Sequence, residues 1–161
     1  MTSYFVQEVT DAIRALLDGA ALTFAPKLVM AGGLEYYPEA ADISDDLPAV
    51  FIESLGMESE LADVGGFQFD QVYRVRVVVL DKWADGDVVH TLKTGHAKEV
   101  WDLLVASGLD FSASISGLTI ESAVPTMVDM QPPEELAANY EQARRIFAIA
   151  IEAELEGKAN T

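Results

Sequence analysis

The strongest constraint on the fold is the alternation of apolar and polar side chains over residues 67–81. Apolar Phe67, Phe69, Tyr73, Val75, Val77 and Val79 alternate with polar Gln68, Asp70, Arg74 and Arg76. A period of two residues is that of a β-strand with one buried face. The end of the segment, Val77 to Leu80, is apolar on both faces, which predicts a strand covered on both sides there. The chain is therefore expected to build a sheet around this segment.

Other segments are predicted to supply the neighbouring strands. Residues 48–55 are short and apolar, and we expect them to pair antiparallel with residues 67–81. Residues 21–30 look extended, but Pro26 would confine them to a sheet edge. Residues 111–130 are predicted to hold two short extended segments, broken by Gly117 and Pro125.

Two segments carry helical periodicity. In residues 3–18 the apolar side chains repeat on one helical face, with Ser3 as a cap and Gly19 as the end. A second helix is expected over residues 88–107. The segment 141–154 fits either state, since alternation at Ile149 and Ile151 suits a strand while its Ala and Glu content favours a helix. We favour a strand because it is β-rich and would complete the sheet.

The predicted order is α, β, β, β, α, β, β. This order predicts an α+β fold, with a mainly antiparallel sheet of about four to five strands flanked by two helices. Residues 1–161 fit a single domain by length, with an ordered core at about 3–154. The residues expected to be buried in that core are Leu16, Val77, Val79, Trp101, Leu104 and Phe147.

The charge of the chain narrows the classes of partner. It has 27 acidic and 10 basic residues, for a formal net charge of −17. Such a surface repels phosphate groups, so ordinary nucleic-acid binding is disfavoured. This charge is compatible with simple solubility or a salt-adapted host, and equally with a surface that meets a basic partner. No stretch of about 18 apolar residues occurs, and we expect no membrane partner.

No catalytic, metal or cofactor site is predicted. The chain has no cysteine, and its two histidines, His90 and His96, are six residues apart, a spacing that does not place them on one helical face. No phosphate-binding glycine motif and no nucleophile elbow occurs. Glu53, Glu121 and Glu152 are interpreted as residues of solvated strand faces. We therefore expect that the chain is not an enzyme.

Two acidic, glycine-containing stretches, residues 31–47 and 56–66, are predicted to be long loops. Long ordered loops are often functional, because ordering them is costly unless they bind something.

The order of elements resembles that of the tail-terminator, or tail-completion, proteins of long-tailed bacteriophages. The likeness covers about residues 3–154 and is one of pattern. It depends mostly on Val77 to Asp81 in the central strand and on Arg144 and Arg145 before the last strand. The resemblance implies a small subunit that forms a hexameric ring, caps the tail tube at the tail–neck junction and contacts the head-side connector.

The resemblance implies further partners and a location. The subunit would contact further copies of itself and the tail-tube protein, and DNA would only pass through the ring. The resemblance leaves open whether a sheath protein is also contacted. Assembly would occur in the host cytoplasm. The candidate interface residues are Tyr36, Tyr37, Glu58, Glu60, Arg74, Arg76, Arg144 and Arg145. The alternatives are another phage neck, head-completion or tube protein, and a cellular acidic protein-binding domain.

Overall fold

In a computed structural model of the protein, the described residues form an α+β fold with two helices and one five-stranded mixed sheet. The structure describes residues 5–32, 46–61, 68–82, 95–107, 115, 117–130 and 146–160. The elements in chain order are α1 (Val6–Gly19), β1 (Leu28–Ala31), β2 (Ala49–Leu61), β3 (Gln68–Lys82), α2 (Ala97–Ser107), β4 (Leu118–Met130) and β5 (Ile146–Asn160). This order of helices and strands is the predicted one.

The sheet has the strand order β1-β2-β3-β5-β4. β1 runs parallel to β2, and all other neighbours are antiparallel. The predicted covering of β3 on both faces at Val77 to Leu80 is confirmed, because all four side chains are fully buried, two on each face. The segment whose state was ambiguous is a strand, β5, from Ile146 onward; residues 141–145 lie outside the described ranges.

Both helices pack on the same face of the sheet. α1 buries Val9, Ile13 and Leu17 over β1 and β2, while α2 buries Val100 and Leu104 over β4 and β5. Alternate residues of β2, β3 and β5 complete this main core: Val50, Ile52, Tyr73, Val75, Val77, Val79, Ile149, Ile151, Ala153 and Leu155. A second cluster on the opposite face contains Ala49, Phe51, Val78, Leu80, Ala148 and Ala150.

Two predicted loop or strand boundaries are wrong at the N-terminal side of the sheet. The extended segment 21–30 is a strand only from Leu28, because a turn closed by the Ala25 N–H and the Leu22 carbonyl, with Ala25 at φ 44°, precedes it. The predicted loop 56–66 is strand as far as Leu61. A β-bulge with one extra residue lies between Ser54 and Gly56, opposite Val75 and Arg74, and Gly56 has φ 139°. β2 continues beyond this bulge.

The predicted break at Pro125 is also wrong. β4 runs without interruption from Leu118, and Pro125 lies inside it, paired with Ala153. Proline has no backbone N–H, and it is tolerated there because β4 is an edge strand, in which groups on the outer side make no hydrogen bond within the sheet. Gly117 immediately precedes the strand.

Both predicted helices are confirmed, and the start of the first is shifted. α1 starts three residues later than predicted, and Ser3 lies outside the described residues. α2 follows a π-helical turn at Gly95 and His96, while residues 88–94 are not among those described. Of the predicted core, Val77, Val79 and Leu104 are buried, but Leu16 and Trp101 are only partly buried at its margin. The side chain of Phe147 is outside the described set.

Candidate functional site

The sheet face turned away from the helices carries two cross-strand rows of ion pairs. Strand alternation places Arg74 and Arg76 of β3 on this face, because Tyr73, Val75 and Val77 point into the main core. The antiparallel register brings glutamates of β2 and β5 to either side of each arginine. We call this surface the ion-pair face and define it by Glu53, Glu58, Arg74, Arg76, Glu152 and Glu154.

The row at Arg76 is the more enclosed one. Its Nη2 lies 2.8 Å from Oε1 of Glu152, and its Nε donates to the same oxygen over 3.1 Å. On the other side its Nη1 is 3.6 Å from Oε2 of Glu53, whose side chain is only 18% exposed. A guanidinium with two N–H donors on one carboxylate has a fixed orientation, which an ammonium would lack.

The row at Arg74 is the more open one. Its Nη1 donates to Glu58 over 3.1 Å, and its Nε donates to Glu154 over 3.3 Å. Hydrogen bonding to Glu58 is the largest cause that raises the pKa of Arg74 above its ordinary value, with Glu154 adding to it. Because both glutamates are more than half exposed, the energy of this row is small and sensitive to salt.

Each row holds two carboxylates and one guanidinium, so each retains a net negative charge. The strand register adds Glu60, Asp70, Glu156 and Lys158 to the same face. Carboxylates therefore outnumber bases over this whole described surface. Such a surface disfavours phosphate and suits contact with proteins that bring hydrogen-bond donors or positive charge.

The structure brings together four of the eight candidate interface residues. Glu58, Glu60, Arg74 and Arg76 share the ion-pair side of the sheet, on β2 and β3. Glu58 and Glu60 were expected in a loop, and they lie instead in the second half of β2. Tyr36, Tyr37, Arg144 and Arg145 lie outside the described residues.

Sequence reasoning missed the partners of the two arginines. Glu53 and Glu152 were interpreted as solvated, yet Glu53 is largely covered and Glu152 binds Arg76 through two N–H groups. Glu121 does lie exposed, with its Oε1 3.9 Å from Nζ of Lys158. The signal that could have found these pairs is the match of an Arg-x-Arg strand to a Glu-x-Glu strand, which places opposite charges across an antiparallel ladder.

A separate cluster of hydrogen bonds and one ring-stacking contact connects the start of α2 to the rest of the fold. Nε2 of His96 is 2.9 Å from Oδ2 of Asp81 at the end of β3, and the ring stacks on Phe24 with centroids 4.4 Å apart. Glu99 accepts hydrogen bonds from the backbone N–H and the hydroxyl of Thr23. These contacts connect the segment after α1 with the first turn of α2, which is a structural role.

Among the described residues, no group of three or more His, Asp or Glu side chains is arranged to hold a metal ion. No helix in the described ranges is long and apolar enough to cross a membrane.

Comparison with known proteins does not assign a family. No protein-family model matches the chain, and no curated protein matches it significantly.

Proposed function

We propose that the chain is a structural subunit that acts by assembly, as a ring of the tail-terminator type that caps a phage tail tube and joins it to the head-side connector. The resemblance that suggests this role is one of element order. The described helices and strands follow that same order, α, β, β, β, α, β, β, in a small domain.

The observation that carries the proposal is the ion-pair face. It is an ordered array of charged side chains spread over three neighbouring strands, and such an array favours and orients a partner of complementary charge. Its excess of carboxylates also suits a ring through which DNA must pass without binding, since phosphates are repelled from it.

The proposed partners follow from that role. The subunit would contact further copies of itself, with six as the number implied by the resemblance, along with the tail-tube protein and the connector protein. Because each copy carries a net charge of −17, copies repel one another at low ionic strength. Screening is strong only above about 0.1 M salt, where the Debye length falls to about 10 Å. The free protein is thus expected to be monomeric in dilute buffer and to form rings at higher salt or on the tail tip.

The deciding experiment locates the protein in assembled particles. Phage particles carrying a tagged copy would be imaged by electron microscopy with a label against the tag, alongside light scattering of the purified protein across ionic strength. Label at the junction of tube and connector supports the proposal. Label elsewhere on the particle favours another neck, head-completion or tube protein. A strict monomer at every salt concentration that is absent from particles would favour a cellular acidic protein-binding domain.

A further inference from the structure

The two edge strands of the sheet, β1 and β4, are complementary in register, in strand direction and in side-chain character. The register connects Leu28 of β1 through Ala49, Leu80 and Ala148 to Met130 of β4. It likewise connects Ala31 through Ile52, Val77 and Ile151 to Met127. The four residues of β1 therefore lie on the same rows as Met127–Met130, the last part of β4.

The directions of the edge strands are complementary. β1 is parallel to β2, and three antiparallel steps lead from β2 through β3 and β5 to β4. β1 and β4 therefore run in opposite directions. If the β1 of one copy lay beside the β4 of the next, the two strands would form an antiparallel ladder, and the helices of both copies would lie on the same side.

The side chains at the two edges also match face by face. Val29 and Met127 are partly buried at the margin of the main core, while Met30 and Val128 are partly buried at the margin of the second cluster. Met30 and Val128 lie on one row of the register. A neighbouring copy at this junction would place Met30 beside Val128 and continue both apolar layers from subunit to subunit.

Pro125 limits which partner the outer edge of β4 can take. It removes one N–H from the middle of that edge, and so hinders pairing along the whole length of β4. The segment beyond Pro125 is still long enough for a strand as short as β1. Two β4 strands related by a two-fold axis would instead bring their prolines into the same ladder.

Charge favours the same pairing. β1 has no charged residue and is preceded by Lys27, which is exposed and forms no ion pair with any other described side chain. β4 contains two acidic residues, Glu121 and Asp129, in its sequence and no basic one. In a chain with net charge −17, the β1 edge is a place that an acidic strand of another copy can approach with little repulsion.

We infer that copies of this chain assemble head to tail, with β1 of one copy extending the sheet of the next beside Met127–Met130 of β4. This inference rests on the proposed self-assembly and assigns the interface to it. Because β1 and Met127–Met130 lie on the same register rows, successive copies could pair without a shift along the strand direction. A heterologous contact of this kind closes into a ring when the rotation between copies closes, and otherwise forms a helical filament.

Single-cysteine variants test the pairing directly, because the chain has no cysteine of its own. Met30→Cys and Val128→Cys would be mixed at an ionic strength where light scattering shows oligomers, and then oxidised with copper–phenanthroline. Antiparallel neighbours on one row have Cβ atoms about 4.5–5.5 Å apart, close enough for a disulfide after a small adjustment. We expect a disulfide-linked dimer from the mixture and none from either variant alone. The double variant in one chain should give a ladder of linked copies on a non-reducing gel.

The controls separate this interface from self-assembly itself. Leu55→Cys, which lies on β2 beyond the residues that pair with β1 and off the row of Val128, replaces Met30→Cys in a matched mixture with Val128→Cys and should give no dimer. Oligomers without the Met30–Val128 disulfide would overturn the inference and leave the proposed ring standing. A disulfide dimer from Val124→Cys alone would show pairing of two β4 strands, which also overturns it. A strict monomer under all conditions contradicts both proposals.

A charge reversal gives a second readout that requires no cross-linking. Lys27→Glu should shift the onset of oligomer formation to higher salt more than Lys98→Glu, which makes the same charge change on α2. Circular dichroism would confirm that both variants fold. An equal shift in the two variants would show that only the net charge matters, and would contradict the role of the β1 edge.

Discussion

Gly157 of β5 lies against the backbone of Thr119 on β4, so closely that the Thr119 carbonyl oxygen occupies the space a Cβ atom at position 157 would need. This contact lies beside the register shift between Ile120 and Ser122 of β4. Since backbone atoms cannot swing away as a side chain can, any residue larger than glycine would have to displace β4.

Gly157→Ala is therefore expected to lower the free energy of unfolding by about 1–3 kcal/mol, the usual cost of overpacking. The control is Gly19→Ala at the end of α1, where nothing lies within 4 Å of an added Cβ. That change should leave stability unchanged or raise it by up to about 1 kcal/mol, because alanine favours a helix. Urea denaturation of the two variants measures both effects, and equal stability of the two would contradict the close contact.

The two arginines of the ion-pair face should differ in their contribution to stability. Arg76→Met leaves Glu53, which is largely covered, without its cation and should cost roughly 1–3 kcal/mol. Arg74→Met exposes two glutamates that are already well solvated, so its effect should be smaller and should disappear in high salt. Thermal unfolding at low and high ionic strength checks both. A larger loss at Arg74 than at Arg76 would argue against the described burial.

Tyr73 should make stability dependent on pH at the alkaline end. Burial raises the pKa of Tyr73 to about 12; a hydrogen bond that the Tyr73 oxygen accepts from the backbone of Phe5 opposes this, and the nearby Glu8 carboxylate adds to it. The unfolded chain ionises its tyrosines near pH 10. The stabilisation from keeping Tyr73 neutral is thus fully present below about pH 10 and is lost as the pH rises to about 12.

Over that interval the loss assigned to Tyr73 is about 2–3 kcal/mol. Tyr73→Phe should have lower stability at neutral pH, since Gln71 loses the Tyr73 hydroxyl as a donor, but a flatter dependence between pH 10 and 12. Urea denaturation across this range measures the slope. Ultraviolet difference titration of the two proteins should assign the late-ionising phenol to Tyr73, and a tyrosine difference signal centred near pH 10 would contradict this.

Purified protein should not retard duplex DNA at about 0.15 M salt, because its charge opposes the counterion release that drives such binding. Both arginines on the ion-pair face are already paired with glutamates on each side. The matched variant Glu152→Lys with Glu154→Lys makes both rows of ion pairs net positive and should bind weakly at low salt. An electrophoretic shift by the unaltered protein that weakens with added salt would reveal a basic patch elsewhere.

Sequence patterns predicted the fold better than they predicted the lengths of its strands. Alternation identified β3 and, at Ile149 and Ile151, β5. Gly56 and Pro125 were both interpreted as breaks, because glycine and proline usually interrupt strands. In the structure Gly56 occupies a bulge and Pro125 an outer edge, two positions that depend on which strand lies alongside. A single sequence does not contain that information in its local spacing.

The candidate site was predictable only in part, for the same reason. Arg74 and Arg76 were identified from their positions on β3, but Glu152 and Glu154 lie about 80 residues further along the chain. Their pairing depends on the register between β3 and β5, which is set by burial of the opposite face of both strands.

The position of β5 between β3 and β4 has a consequence for biosynthesis. β5 follows both of its neighbours in the chain, yet it is the strand that joins them into one sheet. While the ribosome is still making residues 146–160, β3 has its β5-facing edge unpaired and β4 has no strand to join. Native pairing in this half of the sheet must therefore wait until those residues emerge from the exit tunnel. A nascent chain stalled before Ile146 should recruit chaperones that recognise unpaired strands, and one stalled on an added C-terminal linker that brings Asn160 out of the tunnel should release them.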